Sequence, residues 1–435
     1  MIRKLLLVIL VETLLLSCTE KSDGYKGIVH IRKENGKYVL IRNREPYFIK
    51  GAAGADNMKT IKDFGGNSIR TWSTDNAKEI LDSAHQYGLT VTLGIYVGGE
   101  AQGFNYDNEK EVEEQLSRIK QEVLDFKNHP ALLMWGIGNE VDILSSRKRS
   151  TNIQLWRNME KIAKMVKELD PDHPTTTMIV PYRKTIKQIK TFCPSIDILS
   201  INTFGELPDL RDKLNEWFWG WEKPYIVSEW GTQGWWEAKS TLWDAPIEET
   251  SSKKGEFYFS RYNSSIKPDT NKCIGSYVFY WGNKQEKTHT WFSMFMPDGE
   301  ATLPVAVMNY LWSGHWPANI PPHLDYVLLD GKGAKENIFL NTGEEYLAEV
   351  FASDPENDSL RIEWELLPES IQQSGAGIKE ERLKPVENCL LRPEGKKLRI
   401  TVPDTEGAYR LFVYLKDGHN NAATANIPFY VVGNK

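Results

Sequence analysis

The chain has 435 residues, more than one ordinary domain, and with 40% hydrophobic and 26% charged residues its composition excludes the disordered and fibrous classes. Its formal net charge of −6 argues against a dedicated nucleic-acid-binding protein, which needs a basic face for phosphates. Of its 15 tryptophans, all but Trp364 lie between Trp72 and Trp316. That concentration suits a large core or a surface that stacks on flat ligands such as sugar rings.

The first residues predict export. Two basic residues precede an apolar run, Leu5 to Leu16, that is too short for a comfortable transmembrane helix and is typical of a secretory signal. Leu15-Leu16-Ser17-Cys18 resembles the lipobox of bacterial lipoproteins. We expect residues 1–18 to be a lipoprotein signal and Cys18 to carry a lipid anchor, which would be the protein's one link to a membrane. The expected location is the bacterial cell envelope, at the outer membrane or cell surface. A plain signal peptide with an incidental cysteine is the alternative.

A hairpin and eight further strands are predicted in chain order. Ile28–Arg32 and Lys37–Ile41 flank Glu34-Asn35-Gly36, a strong hairpin signal. From residue 47 onward, short β-rich runs alternate with amphipathic helical stretches, the last of which is Pro304–Trp312. The predicted strands are Tyr47–Gly51, Asn67–Trp72, Leu89–Tyr96, Ala131–Gly138, Thr175–Val180, Asp197–Thr203, Pro224–Glu229 and Ile274–Trp281.

Eight strands, each followed by a helix, match a (β/α)8 TIM barrel in number and length. We place this α/β barrel at residues 47–317, after a polar stretch and hairpin at residues 19–46. A doubly wound sheet is the alternative, but neither a glycine-rich dinucleotide loop nor a phosphate loop follows any strand. The active site of such a barrel is expected at the C-terminal ends of its strands.

The pattern changes after the proline-punctuated segment at residues 316–322. Short strands without helices follow, separated by turn clusters. We expect residues 318–435 to form a linker and an all-β, Ig-like sandwich. Its predicted strands are Tyr346–Ala352, Leu360–Leu366, Leu398–Val402, Tyr409–Lys416 and Asn426–Val432.

No metal or cofactor site is predicted. Beyond Cys18, the cysteines are too few and too widely spaced for a disulfide scaffold or a zinc site, so we expect Cys193, Cys273 and Cys389 to be buried. His289 and His315 lack companions at metal-ligand spacing and receive no role. The run Asp354–Asp358 suggests a calcium loop, but such a run is more often a turn.

Two glutamates stand at the C-terminal ends of predicted strands, Glu140 after the fourth and Glu229 in the seventh. Cleavage of a glycosidic bond needs one carboxylic acid to protonate the leaving oxygen and one carboxylate to attack or to activate water. Either glutamate could instead cap the following helix, and about half of the tryptophans should be core. The candidate substrate-binding residues at or after strand ends are Arg70, Trp72, Asn139, Asn202, Phe204, Trp230, Trp236 and Trp281.

Residues 126–140, Phe-Lys-Asn-His-Pro-Ala-Leu-Leu-Met-Trp-Gly-Ile-Gly-Asn-Glu, resemble the acid/base segment of the clan A glycoside hydrolases. They are most similar to the TIM-barrel domain of glycoside hydrolase family 2. The resemblance extends over residues 46–317 and implies that Glu140 is the acid/base and Glu229 the nucleophile. It also implies that Asn139 binds the sugar 2-hydroxyl, that Arg70 holds the nucleophile, and that Trp281 forms the floor beneath the sugar being cleaved.

The sequence departs from that family in two places. The first barrel strand begins soon after Cys18, so we expect the large N-terminal domains of the family 2 enzymes to be absent. Many clan members also have a tyrosine near the end of strand six that hydrogen-bonds the nucleophile. Phe204 stands where that tyrosine is expected, so the bond is either missing or supplied by another residue.

The sequence therefore predicts an exported, lipid-anchored, retaining β-glycoside hydrolase that works by double displacement without a cofactor. Its partner is a carbohydrate, with a β-glucan as the first expectation, and no nucleic acid. Arg70 would keep Glu229 ionised, while the charge of Glu229 would keep Glu140 protonated. A transglycosidase, a non-catalytic glycan-binding lipoprotein and a structural envelope protein remain alternatives. The loops Val97–Asp107 and Gly231–Glu248 are the expected specificity determinants.

Overall fold

The computed structural model describes residues 27–143, 152–216, 220–372, 380–391 and 393–433. The expected signal and its Cys18 lie outside these residues. In the described part of the chain, none of the helices combines the length and the apolar character that a bilayer crossing requires. Cys193, Cys273 and Cys389 are buried free thiols.

A small antiparallel sheet precedes the barrel and covers its N-terminal end. Its strands are β1 (Val29–Glu34), β2 (Lys37–Arg42) and β3 (Glu45–Pro46). The backbone N–H of Val29 donates to Asp172 O (2.9 Å), and the Tyr38 hydroxyl donates to Glu222 O (2.8 Å). Both acceptors lie in loops that lead into barrel strands, so the sheet seals the end of the barrel opposite its mouth.

Eight parallel strands close into a barrel. They are β4 (Ile49–Ala53), β5 (Ser68–Arg70), β6 (Thr90–Ile95), β7 (Leu132–Asn139), β8 (Thr175–Ile179), β9 (Ile198–Asn202), β10 (Tyr225–Trp230) and β11 (Cys273–Val278). Each pairs with the next, and β11 pairs with β4. The strands are buried on both faces, as parallel strands between a core and a helix layer must be. The predicted TIM barrel is confirmed.

Amphipathic helices surround the barrel. The apolar side chains of α4, among them Trp156 and Ile162, recur at helical spacing and are fully buried. The helices are α1 (Met58–Asp63), α2 (Ala77–Gln86), α3 (Glu109–Phe126), α4 (Ile153–Leu169), α5 (Arg183–Phe192), α6 (Leu210–Asn215), α7 (Ser251–Arg261) and α8 (Leu303–Ser313).

Two further sheets follow the barrel and pack as a β-sandwich, which confirms the predicted all-β second part. One sheet has the order β12-β14-β16 and the other β13-β18-β17-β15, and their facing side chains form a separate core. Sequence patterning missed β12 and β13. The strands are β12 (His323–Leu329), β13 (Ile338–Asn341), β14 (Glu345–Ser353), β15 (Arg361–Pro368), β16 (Lys397–Thr401), β17 (Gly407–Lys416) and β18 (Ala422–Val432).

A buried polar network joins the sandwich to the barrel. Glu248, in the loop before α7, accepts hydrogen bonds on Oε1 from Lys254 Nζ (2.5 Å) and Thr290 Oγ1 (2.8 Å). Its Oε2 accepts from Thr288 Oγ1 (2.6 Å) and from Asn426 Nδ2 of β18 (2.7 Å). We call these five residues the interface cluster. Each oxygen of the buried carboxylate is thus matched by two donors.

Candidate active site

Both candidate glutamates lie at the mouth of the barrel, where the strands end. Glu140 directly follows β7 and Glu229 is the penultimate residue of β10. The backbone of Glu140 has a φ of 52°, a left-handed conformation that is uncommon outside glycine, and its N–H donates to Met178 O of β8 (2.9 Å). Such a conformation persists where the surroundings over-determine it, which is frequent at functional sites.

Arg70, the last residue of β5, is fully buried and fixes Glu229. Its Nη1 donates to Glu229 Oε1 (3.0 Å) and its Nη2 to Asn139 Oδ1 (2.9 Å). Trp72 Nε1 donates to the same Oε1 (2.9 Å). Since these bonds both fall on Oε1, they leave Oε2 of Glu229 unencumbered by either donor.

Asn202, the last residue of β9, connects Glu140 to Asn139, which in turn accepts a hydrogen bond from Arg70. Its Nδ2 donates to Glu140 Oε1 (2.8 Å) and to Asn139 Oδ1 (3.2 Å). Ser228 Oγ donates to Asn202 Oδ1 (2.7 Å), which fixes the orientation of the amide. Four of the eight strands thus supply one connected group, Arg70, Asn139, Glu140, Asn202 and Glu229, which we call the mouth cluster.

The two carboxyl groups differ in their environments. Burial raises the pKa of both. At Glu229, the Arg70 charge and the Trp72 hydrogen bond oppose this rise of the pKa. At Glu140, burial and then the charge of Glu229 raise the pKa to about 7, against a hydrogen bond from Asn202. The Arg70 charge and the Trp72 hydrogen bond thus favour the ionised form at Glu229, while the Glu229 charge favours the protonated form at Glu140.

An aromatic wall borders the mouth cluster. Phe204 packs edge-on against Trp236 (ring centroids 5.6 Å apart) and against Phe279 (5.7 Å). Trp236, in the loop after β10, is 53% exposed and available for stacking. Phe204 has no hydroxyl group to donate to Glu229. The indole N–H of Trp72 donates to Glu229 instead, so another residue supplies a bond to this carboxyl group.

Two of the candidate tryptophans do not face the mouth. Trp281 is 0% exposed and packs against Phe295 (5.2 Å) and Trp312 (5.3 Å), beneath α8. Trp230 is likewise 0% exposed and packs against aromatic rings of α7 and the turn after it. The expected roles in sugar binding are therefore corrected to core packing, because neither ring has a face open to a ligand.

Sequence reasoning missed Phe279, Lys284 and Glu286, all at or after the end of β11. Phe279 packs edge-on against Trp72 (6.1 Å), and Lys284 Nζ lies over the Phe279 ring (5.3 Å). Lys284 Nζ also donates to Glu286 Oε2 (2.6 Å). The sequence did contain a signal for Lys284 and Glu286: a lysine and a glutamate stand two residues apart, shortly after the end of a barrel strand.

A separate acidic group lies in the sandwich, away from the mouth. Oxygens of Asp354, Asp358 and Asp417 lie within 4.8 Å of one another, close enough to share a cation. Asp354 Oδ1 accepts the backbone N–H of Asp358 (2.8 Å), and Asp417 Oδ1 accepts that of His419 (2.7 Å). These bonds build two turns of the sandwich, which agrees with the turn interpretation of residues 354–358.

Known proteins share this barrel. Residues 52–244 match the family model described as glycosyl hydrolases family 2, TIM barrel domain. A beta-glucuronidase of Streptococcus agalactiae is 26% identical over 270 residues, which are 51% of this chain and 42% of the relative. A beta-glucuronidase of Paenibacillus borealis is 27% identical over 256 residues, 50% of this chain and 41% of the relative. The chain spans less than half the length of these curated relatives.

A solved structure resembles almost the whole chain. A calcium binding mutant of Bacteroides uniformis beta-glucuronidase 2 aligns with a TM-score of 0.52 at 15% identity, over 93% of this chain and 48% of that one. This likeness shows a shared fold. The family model and the sequence relatives support glycoside hydrolase family 2 for the barrel, with both glutamates inside the matched segment.

Proposed function

We propose that the chain is a family 2 glycoside hydrolase that cleaves β-glycosides with retention of configuration. The observation that carries the proposal is the arrangement of Glu229 against Arg70 (3.0 Å), with Glu140 nearby and its pKa raised to about 7. This supplies the carboxylate and the carboxylic acid that double displacement requires. Their position at the strand ends is where a TIM barrel builds its active site.

In the first step, Glu229 Oε2 attacks the anomeric carbon of the sugar. The glycosidic C–O bond breaks, its electron pair goes to the leaving oxygen, and the Glu140 proton is transferred to that oxygen. Glu229 then holds the sugar as a covalent ester. The bonds from Arg70 and Trp72 stay on Oε1, so they orient the carboxylate without blocking the attacking oxygen.

In the second step, Glu140 is a carboxylate and accepts a proton from water. The water oxygen attacks the anomeric carbon, the ester bond breaks, and its electrons return to Glu229. The change of role follows from the electrostatics: once Glu229 is esterified, the negative charge that raised the Glu140 pKa is gone and Glu140 ionises more easily. Asn202, which donates to Glu140 Oε1, steadies it in both steps.

The proposal also covers the sugar, the cellular location and the character of the sandwich. The names of the relatives make β-glucuronides candidate sugars beside the β-glucan expected from the sequence. A lipid anchor at Cys18 and a place in the bacterial envelope are proposed from the N-terminal sequence alone. An Ig-like character of the sandwich is proposed from its two packed sheets, in which the strand pairs are antiparallel apart from β13 with β18.

A substrate panel tests the activity. The full-length protein is incubated with β-glucans, other β-linked polysaccharides and β-glucuronides, and the products are resolved by chromatography, with Glu229→Ala as the control. New reducing ends that the control does not produce support the proposal. Longer oligomers in place of shorter ones would show a transglycosidase. Binding without any product would leave a glycan-binding protein and overturn the proposal.

A further inference from the structure

A lysine–glutamate pair stands beside the mouth cluster and has no part in the bond-breaking steps. Lys284 Nζ lies 2.6 Å from Glu286 Oε2, and Trp235 Nε1 donates to Glu286 Oε1 (3.2 Å). The Lys284 backbone N–H donates to Ser293 Oγ (2.8 Å), which fixes the loop that carries the pair. The Glu286 side chain is only 10% exposed, so the pair is built into the wall of the mouth.

Contacts connect this pair to the nucleophile. Lys284 Nζ lies over the Phe279 ring, Phe279 packs against Trp72, and Trp72 donates to Glu229. The charges also act at that distance: the Lys284 charge lowers the pKa of Glu229 and the Glu286 charge raises it. The pair therefore lies on the Phe279 and Trp72 side of Glu229, close enough for its charges to act on that carboxyl group.

The charges at the mouth disfavour an anionic sugar. Arg70 is committed to Glu229 and Lys284 to Glu286, so both cations that lower the Glu229 pKa already have a carboxylate. Asp56, which follows β4, adds another carboxyl group at the same end of the barrel. A sugar carboxylate would have to compete with Glu286 for the ammonium group, and it would lie beside a like charge.

The same pair suits neutral hydroxyl groups. Each Glu286 oxygen has one bond from the protein and keeps capacity to accept another, while the Lys284 ammonium group has further N–H donors. We infer that Lys284 and Glu286 are specificity-determining residues that hold hydroxyl groups of the sugar and select neutral β-glycosides over β-glucuronides. This inference rests on the proposed function and departs from the activity named for the relatives.

Glycosyl fluorides that differ only in the sugar test this selectivity, because all of them release the same leaving group, fluoride. The full-length protein is incubated with 2-deoxy-2-fluoro-β-glucosyl fluoride and 2-deoxy-2-fluoro-β-galactosyl fluoride, and in parallel with the corresponding glucuronyl and galacturonyl fluorides. Labelling of Glu229 is followed by intact-protein and peptide mass spectrometry. One neutral donor should label at least about tenfold faster than its uronic counterpart, because the latter adds a like charge. Equal or faster labelling by the uronic donors would overturn the inference.

Two variants sharpen the result. Glu286→Gln releases the Lys284 ammonium group and should shift the ratio of labelling rates toward the uronic donor by about tenfold, whereas Lys284→Met should not. Glu222→Gln is the matched control, since Glu222 forms an equally close pair with Lys190 (2.6 Å) at the opposite end of the barrel and should leave the ratio unchanged. An unchanged ratio in folded Glu286→Gln would also overturn the inference. If no donor labels the folded wild-type protein, the proposed function fails and takes the inference with it.

Discussion

The protein buries two clusters of charged and polar residues, the interface cluster and the mouth cluster. Their residue types are similar, but their positive and negative charges are balanced differently. In the interface cluster, Glu248 faces one cation, Lys254, and four hydrogen bonds saturate its oxygens. In the mouth cluster, Glu140 and Glu229 share one cation, Arg70, and within the described part of the chain the Glu140 carboxyl group accepts one side-chain hydrogen bond, from Asn202. The carboxylate of the interface cluster thus has a cation of its own, whereas the two carboxyl groups of the mouth cluster have one cation between them.

The pKa values follow this difference. Burial acts to raise the pKa of Glu248, but Lys254 and the hydrogen bonds outweigh it, so the pKa is lowered and the group stays ionised. At Glu140, burial and the Glu229 charge prevail and raise the pKa to about 7. A balanced buried pair therefore fixes two parts of the chain together, whereas an unbalanced one creates a group that can exchange a proton near neutral pH.

The largest effect is expected at the nucleophile of the mouth cluster. Glu229→Ala removes the attacking oxygen, and turnover should fall on the order of 10⁶-fold. With an activated aryl glycoside, added azide should restore part of the turnover by occupying the space of the lost carboxylate, and the product should be the α-glycosyl azide. Steady-state rates and NMR of the product measure both. Retention of most of the activity would contradict the assigned role.

Substitutions in the interface cluster should lower the stability of the protein and leave its catalytic rate unchanged. Lys254→Met leaves Glu248 buried without its cation and should lower the free energy of unfolding by about 3–5 kcal/mol. The neighbouring Lys253 is exposed and paired with Glu256, so Lys253→Met should change it by less than about 0.5 kcal/mol. Urea denaturation measures both. The folded Lys254→Met variant should keep its rate per active site; a selective loss of rate would break the distinction between the clusters.

A smaller effect is expected from pH. Because Glu140 acts as an acid from its protonated form, kcat/KM should fall about tenfold per pH unit above its pKa. The pKa of about 7 places this decline near neutrality. Glu140→Ala should lose the decline on substrates whose leaving group needs no proton. If the decline persists unchanged in that variant, another group controls it.

The sequence predicted the barrel well because its signals are local. Buried parallel strands are continuous apolar runs, and Arg70, Glu140 and Glu229 could be placed at the mouth since they stand at strand ends. Whether a ring at a strand end points to the mouth or to the helix layer depends on twist and on neighbouring helices. Trp281 was therefore misplaced, and its burial beneath α8 is a tertiary effect.

Long-range contacts limited the prediction elsewhere. The donation from Trp72 to Glu229 joins residues 157 positions apart, and patterning along the chain carries no signal for it. The Lys284–Glu286 pair lies in a loop where charged residues are ordinarily solvated. Strands β12 and β13 directly follow a proline-rich segment and a short turn, and β13 has only four residues, so neither strand gives a long period-2 pattern.

Product stereochemistry tests the central claim, that the mouth cluster performs double displacement, most directly. Wild-type protein is mixed with a β-glycoside from the substrate panel, and the anomeric proton of the released sugar is followed by NMR from the first turnovers, before mutarotation. Two displacements at the anomeric carbon, the first by Glu229 and the second by water assisted by Glu140, predict that the β-anomer appears first. First appearance of the α-anomer would mean a single displacement and would contradict the account.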